Sequence, residues 1–377
     1  MIQEKQKIIH LVSSFPPFRG GTGNACFDFC KGLFKKGFLV EVITPKFNNL
    51  KINSAKFSFL VKYMNPLFVF GKGAVLWQIF SLVRKRDILH LHYPFFGTAE
   101  LVILKKIFSP SMRLFVHYHM DADARGLKGL IFKIYQYSVL PILIRFAEKI
   151  TCASIDYIKE SFLKNYYQKN PKKFVETGFC VDEKKFFFQE IKENRNNWHI
   201  LFVGNLDTSY HDKGLGVLLK ALAEIKDKYK FFLRIIGEGN LKEKYQKLSE
   251  KLGLESNVRF LGKVDDQKLV DSYHESDFFV LPFVEKGEAF GIVLLEAMSC
   301  GRAILVSNLP GPRAVFENTK QGFLVKAGDI SDLKNKIISF FENRQLIKKM
   351  GENGQKLVKE KYTPEVVISK LIRVYEL

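Results

Sequence analysis

Short apolar runs and longer amphipathic stretches alternate along nearly the whole of this chain. In the first half the runs are KIIHLVS (7–13), LVEVIT (39–44), DILHLHY (87–93), RLFVHYH (113–119), KITCAS (149–154) and KFVETGF (173–179). Helical patterns lie between them, for example at 24–36, 97–108 and 127–147. The alternation restarts with HILFVGNL (199–206), FFLRIIG (231–237), VRFLGKV (258–264), DFFVLPF (277–283), AILVS (303–307) and GFLV (322–325). Apolar strands separated by helices build parallel sheets covered on both faces. A chain of 377 residues is also too long for one ordinary core. The reading is α/β, with two doubly wound, Rossmann-like domains at 1–182 and 199–360. The charged stretch 183–198 has neither period and reads as a linker. A helix at 361–377, with Thr363 as N-cap and Pro364 at its first position, is placed to pack back toward the first domain. Ligands of such sheets bind at the carboxyl ends of the strands, so two domains facing one another would line a cleft.

The net charge of +20 is uneven: residues 1–190 hold 29 Lys and Arg against 14 Asp and Glu. A field of that sign favours an anionic partner such as an acidic membrane surface or a phosphorylated substrate. Nucleic acid is disfavoured, because no reading motif accompanies the charge. The five cysteines form no CxxC pair, and the first residues lack the pattern of a signal peptide. No apolar run approaches the ~20 residues of a membrane span. The expected setting is cytoplasmic with free thiols, peripheral to the inner face of a membrane if the basic face is used.

The stretch EKGEAFGIVLLEAMSCG (285–301) carries two glutamates, Glu288 and Glu296, eight positions apart. The residues around Glu296 are apolar on all sides, which predicts a buried helix, and glutamate is rarely buried without a partner. The helix is expected to begin near Phe290–Gly291 and to be capped by Gly301, leaving Glu288 in the preceding loop. The amides of Ala289, Phe290, Gly291 and Ile292 then face the strand ends as a phosphate site. A nucleotide sugar fits: diphosphate on the amides, ribose hydroxyls on Glu296, sugar hydroxyls on Glu288. A core partner for Glu296 is the competing explanation.

This segment resembles the signature of the retaining glycosyltransferase family 4, of GT-B fold, in which two glutamates separated by seven residues flank such a loop and helix. Four further segments match in order: FPPFRGGTGNA after the first strand, HYHMDADARG (117–126), FVGNLDTSYHDKGLGVLLKAL (202–222) and IIGEG (235–239). The resemblance implies transfer of a hexose-type sugar from a UDP- or GDP-linked donor, with retention and without a metal or other cofactor. The acceptor would be a hydroxyl of a glycan, lipid-linked in cell-surface polysaccharide or lipopolysaccharide synthesis. A soluble acceptor, or a catalytically silent sugar-nucleotide-binding protein, are the alternatives.

Carried onto this chain, the family's roles give Lys213 to the donor diphosphate, His119 to the transferred sugar and Glu288 to the reacting centre. Gly20 and Gly21, Gly204 and Gly237 would border the donor. The family's usual phosphate-binding arginine is missing, since Asn205 follows Gly204; Arg19 and Arg313 are candidate substitutes. Ala303 and Ala314 are smaller departures. A dinucleotide reading of Gly21, Gly23 and Glu41 is weakened by Cys26 at the sixth position of the glycine pattern. Asp121 and Asp123 form a DxD run, and His90, His92, His117 and His119 imitate a metal cluster. Neither has the context or the local third ligand that a metal needs.

Overall fold

The computed structural model describes residues 6–18, 20–47, 57–71, 73–122, 126–191, 196–208 and 213–377. The chain forms two compact units, residues up to Cys180 together with Pro364–Leu377, and Val181–Thr363.

In the first unit, β1 (Lys7–Leu11), β2 (Leu39–Pro45) and β3 (Leu60–Met64) precede a small antiparallel hairpin of β4 (Val69–Phe70) and β5 (Gly73–Ala74). The strands β6 (Ile88–Tyr93), β7 (Arg113–Tyr118), β8 (Lys149–Cys152) and β9 (Phe174–Glu176) follow. All but the hairpin join one parallel sheet in the order β3-β2-β1-β6-β7-β8-β9. The order reverses between β1 and β6, so the loops leaving those two strands diverge and open a crevice. Every residue of β6 is buried, as its unbroken apolar and histidine content requires for a central parallel strand.

The helix Pro364–Tyr375 is last in sequence but belongs to this unit. The Arg113 guanidinium donates to the Tyr375 carbonyl at 2.8 Å. Ile368 fills the space beside Gly32, where a Cβ would lie 2.3 Å from its Cγ1. The long helix Gly126–Phe146 contains an 18-residue stretch, Gly129–Phe146, apolar enough to cross a bilayer by length and composition. This corrects the expectation that no run approached such a length: Lys133 and Arg145 interrupt the sequence without lowering its mean hydropathy below 1.2.

The second unit has β10 (Trp198–Val203), β11 (Phe231–Ile236), β12 (Val258–Gly262), β13 (Phe278–Leu281), β14 (Ala303–Ser307) and β15 (Gly322–Val325). They form a parallel sheet in the order β12-β11-β10-β13-β14-β15, with the reversal between β10 and β13. The stretch 183–198 is not a free linker. Its described part is fastened to this unit: Phe186 is buried, and the backbone around it is hydrogen-bonded to the unit's side chains. The Phe186 carbonyl accepts from Ser299 Oγ at 2.6 Å, and His274 Nε2 lies 2.8 Å from the Phe187 carbonyl. Arg302, fully buried, completes the attachment by donating to the carbonyls of Ser276, Cys300 and Gln189. Its buried charge is offset by these charge-assisted bonds to carbonyl oxygens.

Candidate active site

The reversal point of the second sheet places two loops side by side, one leaving β10 and one leaving β13. Lys213, at the end of the first, meets Glu288 in the second, with Nζ 3.0 Å from Oε2. The ammonium also lies 5.0 Å from the centre of the Phe283 ring. The approach depends on glycine at 214, which adopts φ +77° and whose Cβ would sit 1.7 Å from the Pro282 carbonyl oxygen. Any side chain there would push the lysine loop away from β13. Gly204 serves the same contact, since a Cβ on it would lie 2.6 Å from Lys213 Cδ. The Lys213 and Glu288 side chains keep 16% and 29% of their surface. A pair this open contributes about 0–1 kcal/mol, so a ligand offering a phosphate to one and hydroxyls to the other can separate them.

The helix after Glu288 spans Ile292–Ser299, starting later than the sequence suggested. Gly291 delays it by taking a left-handed conformation, φ +87°, as N-cap. Among the described residues no side chain caps this end, and its first turn holds no acidic residue. The first amides of a helix have no intrahelical acceptor, and the helix dipole favours an anion there. Ala289 and Phe290 are buried, Phe290 edge-on to Tyr362 at 5.6 Å between ring centres. Their buried side chains brace the loop. Gly311 packs from behind, where a Cβ would lie 2.6 Å from the carbonyl oxygens of both Glu288 and Ala289. The short helix that starts there carries Arg313.

Glu296 lies on this helix and accepts a hydrogen bond from Tyr273 Oη at 2.9 Å. The Tyr273 hydroxyl also lies 3.2 Å from the Val293 carbonyl. Desolvation raises the Glu296 carboxyl to about 7, which the bond from Tyr273 only partly offsets. A carboxylate at this position is therefore expensive to keep ionised until something donates to it. Tyr273, more than twenty residues upstream, was not anticipated, and nothing local in DSYHESD marks it out.

The remaining donor-side glycine, Gly237, is explained by packing: with φ +149° it lets the Gly204 carbonyl approach to 1.8 Å from where its Cβ would be. Asn205 accepts from the Asp207 amide at 2.8 Å, a side-chain turn, and so does not replace an arginine's charge. Arg19 and Asp123 lie outside the described residues.

In the first unit, Gly20 caps the helix Gly21–Lys35 in an extended conformation. A Cβ on Gly20 or Gly21 would meet nothing within 4 Å, whereas one on Gly23 would lie 2.7 Å from the Ser14 carbonyl oxygen. Among the described residues, packing thus demands glycine at 23 but not at 20 or 21. Glu41 is consumed by ion pairs with Lys7 at 3.0 Å and Lys62 at 2.9 Å, which removes it as a ribose ligand for a dinucleotide. Asp121 is likewise engaged, accepting from the Tyr118 hydroxyl and the Phe162 amide.

His119 follows β7 immediately, and its Nε2 lies 2.8 Å from His92 Nδ1. His10, which sequence reading passed over, lies behind, with Nδ1 2.9 Å from His92 Nε2. Burial pushes His10 and His119 down to about 3, so both rings are neutral at ordinary pH. His10, Cys26 and His92 offer ligand atoms within 4.8 Å of one another. Both His92 nitrogens already bond to imidazoles, however, and a metal here would have to break one of those bonds.

Residues 183–357 match the family described as glycosyl transferases group 1, and residues 19–172 match glycosyltransferase family 4. The phosphatidyl-myo-inositol mannosyltransferase of Mycobacterium leprae is 30% identical over 295 residues, covering 77% of this chain and 73% of that protein. The N-acetyl-alpha-D-glucosaminyl L-malate synthase of Bacillus anthracis is 23% identical over 95% of this chain and 94% of its own. Among solved structures, a glycosyltransferase from Rickettsia africae superposes with a TM-score of 0.79 at 19% identity, covering 99% of this chain and 98% of that one. Anabaena HepE in complex with UDP and glucose gives 0.77 at 18%, covering 98% and 99%. The chain belongs to glycosyltransferase family 4 and has the GT-B fold.

Proposed function

We propose that this glycosyltransferase moves a hexose-type sugar from a UDP- or GDP-linked donor to a hydroxyl of a lipid-linked glycan, with retention of configuration and without a metal. The observation that carries the donor side is the Lys213–Glu288 pair beside an uncapped helix N-terminus, at the point where the second sheet reverses its strand order. In this reading the diphosphate displaces Glu288 from Lys213 and rests on the amides at the start of Ile292–Ser299. Glu288 turns to the sugar hydroxyls, and Glu296 accepts from the ribose.

The bond from the anomeric carbon to the phosphate oxygen breaks, and a bond to the acceptor oxygen forms on the same face. The acceptor proton passes to the departing phosphate oxygen. Lys213 and the helix amides offset the charge that grows on that oxygen, the term that dominates when no metal is used. The name of the Bacillus anthracis relative includes malate, which supports a soluble acceptor as the second reading. Melting curves with UDP-, GDP- and ADP-sugars test the donor, because ligand at 100 times its Kd adds about 2.7 kcal/mol to the folded state. No shift with any of them defeats the proposal.

The acceptor side is proposed to work at an anionic membrane on the cytoplasmic face, where all five cysteines remain thiols. Helix Gly126–Phe146 is mostly apolar, yet only 33% of its 18-residue stretch is buried. Its neighbours expose Phe68, Trp77 and Phe108 at 65%, 56% and 73%. These segments touch: the Phe96 and Phe132 rings stack at 4.7 Å, and Phe70 closes on Gly97. An apolar face on a strongly basic unit fits an anionic bilayer surface. Co-sedimentation is expected to be stronger with vesicles containing phosphatidylglycerol than with phosphatidylcholine alone. It should fall for the double variant Phe68→Ser, Trp77→Ser. Equal binding to both vesicles removes the charge argument, and an unchanged variant removes this surface.

A further inference from the structure

The three imidazoles His10, His92 and His119 form one continuous hydrogen-bonded row, at 2.9 and 2.8 Å, from the core of the first sheet to the end of β7. The strands explain it. Side chains two apart share a sheet face, and β1 and β7 flank β6, so one face collects histidines from all three. Burial keeps these rings neutral. A neutral imidazole carries one N–H, so each must donate through one nitrogen and accept through the other. The row therefore has only two states. Either every Nδ1 bears the proton and the donors point toward His119, or every Nε2 does and they point toward His10.

The far end decides between them. His10 Nε2 is buried and, among the described residues, has no hydrogen-bond partner. In the second state it would be a buried N–H without an acceptor, among the rarest defects in folded proteins. In the first it is only an unfilled acceptor lone pair, a smaller cost than a buried N–H without an acceptor. We propose that His92 and His10 are positioning residues that hold His119 as its Nδ1–H tautomer, so that the ring presents a fixed hydrogen-bond donor to the substrate. Among the described residues His119 Nδ1 has no protein partner, which leaves that atom for a sugar hydroxyl. The proposal rests on the reading of His119 as a sugar contact. It adds that the contact's direction is set by residues that never touch the sugar.

Long-range proton–nitrogen correlation spectra of the full chain, labelled with nitrogen-15 at its eight histidines, report which ring nitrogen bears hydrogen. His10, His92 and His119 are each expected as Nδ1–H without any ligand present. His119 found as Nε2–H in the wild type overturns the proposal, and this readout needs no variant to fold. In His92→Phe the aromatic packing stays while the bond is lost. His119 should then become a tautomer mixture, and kcat should fall about tenfold with donor KM changed less than about twofold. His92→Gln, whose amide can donate to His119 Nε2, should restore part of the rate. An unchanged His119 tautomer in His92→Phe overturns the positioning role. If instead the tautomers are as expected but His119→Ala transfers sugar normally, the sugar contact is what fails.

Discussion

Replacing Lys213 with alanine is expected to lower the rate of sugar transfer by roughly 100- to 1,000-fold, the usual effect of removing one preorganised donor to a developing oxyanion. The fold should persist. The ion pair with Glu288 is partly exposed and stabilises by at most about 1 kcal/mol. The element that brings the two loops together is Gly214 against Pro282, which this change leaves alone. Lys213→Met, which keeps the stem along Gly204 and over Phe283, should lose as much activity as alanine, because the charge is what counts. Initial rates at saturating donor, beside melting curves, check this. A loss under about threefold in both variants would remove Lys213 from the reaction.

The Glu296→Gln variant is expected to change both donor affinity and the pH dependence of stability. Folding raises this carboxyl from 4.5 to about 7. The folded chain then holds the proton more tightly than the unfolded chain does. Below about 4.5 both states are protonated and the group is neutral in its effect. As pH rises toward about 7 the unfolded state ionises first, and stability falls by an amount on the order of 3 kcal/mol. Glutamine has no such slope. The stability of the variant relative to wild type should therefore rise between about pH 4.5 and 7 and stay level above. Taking the difference matters, because the buried histidines act in the opposite sense: their lowered values cost stability as pH drops below their unfolded range. Donor affinity should move the other way. Ribose hydroxyls donate to the ionised carboxylate, so wild-type binding should tighten as pH passes through about 7. The variant should bind roughly 10- to 100-fold more weakly at pH 8. Parallel stability curves and equal Kd values for the two proteins would mean that Glu296 is merely a core residue bonded to Tyr273.

Much of this molecule is legible in one dimension because parallel sheets write themselves as unbroken apolar runs. The twelve runs singled out each overlap a strand, and the reversal points follow once the strands are ordered. What escapes is instructive. The edge strand LVKYM at 60–64 mixes polarity because its flank is open, and the hairpin strands at 69–70 and 73–74 are too short to show a period. The helix after Glu288 starts late because Gly291 takes a backbone conformation that periodicity does not register. The stretch 183–198 reads as a linker because it has neither period; what fastens its described part to the second unit is the buried Phe186 ring and backbone carbonyls, which leave no pattern in the sequence. Glu288 and Glu296 stood out because an acidic residue in an apolar helix requires a reason. Their neighbours did not stand out. Lys213 lies 75 positions from Glu288, and Tyr273 is on a separate helix; both adjacencies come from strand order, which no local window contains. His10 was passed over for the same reason, being one histidine in a strand until β6 and β7 add theirs.

A donor pyrophosphate is expected to rest where β10 and β13 part. A crystal structure with UDP or GDP bound tests it most directly. Phosphate oxygens are expected within hydrogen-bond distance of Lys213 Nζ and of the first amides of Ile292–Ser299, with Glu288 no longer paired to the lysine. A nucleotide lodged elsewhere, with the 3.0 Å pair intact, would contradict the account.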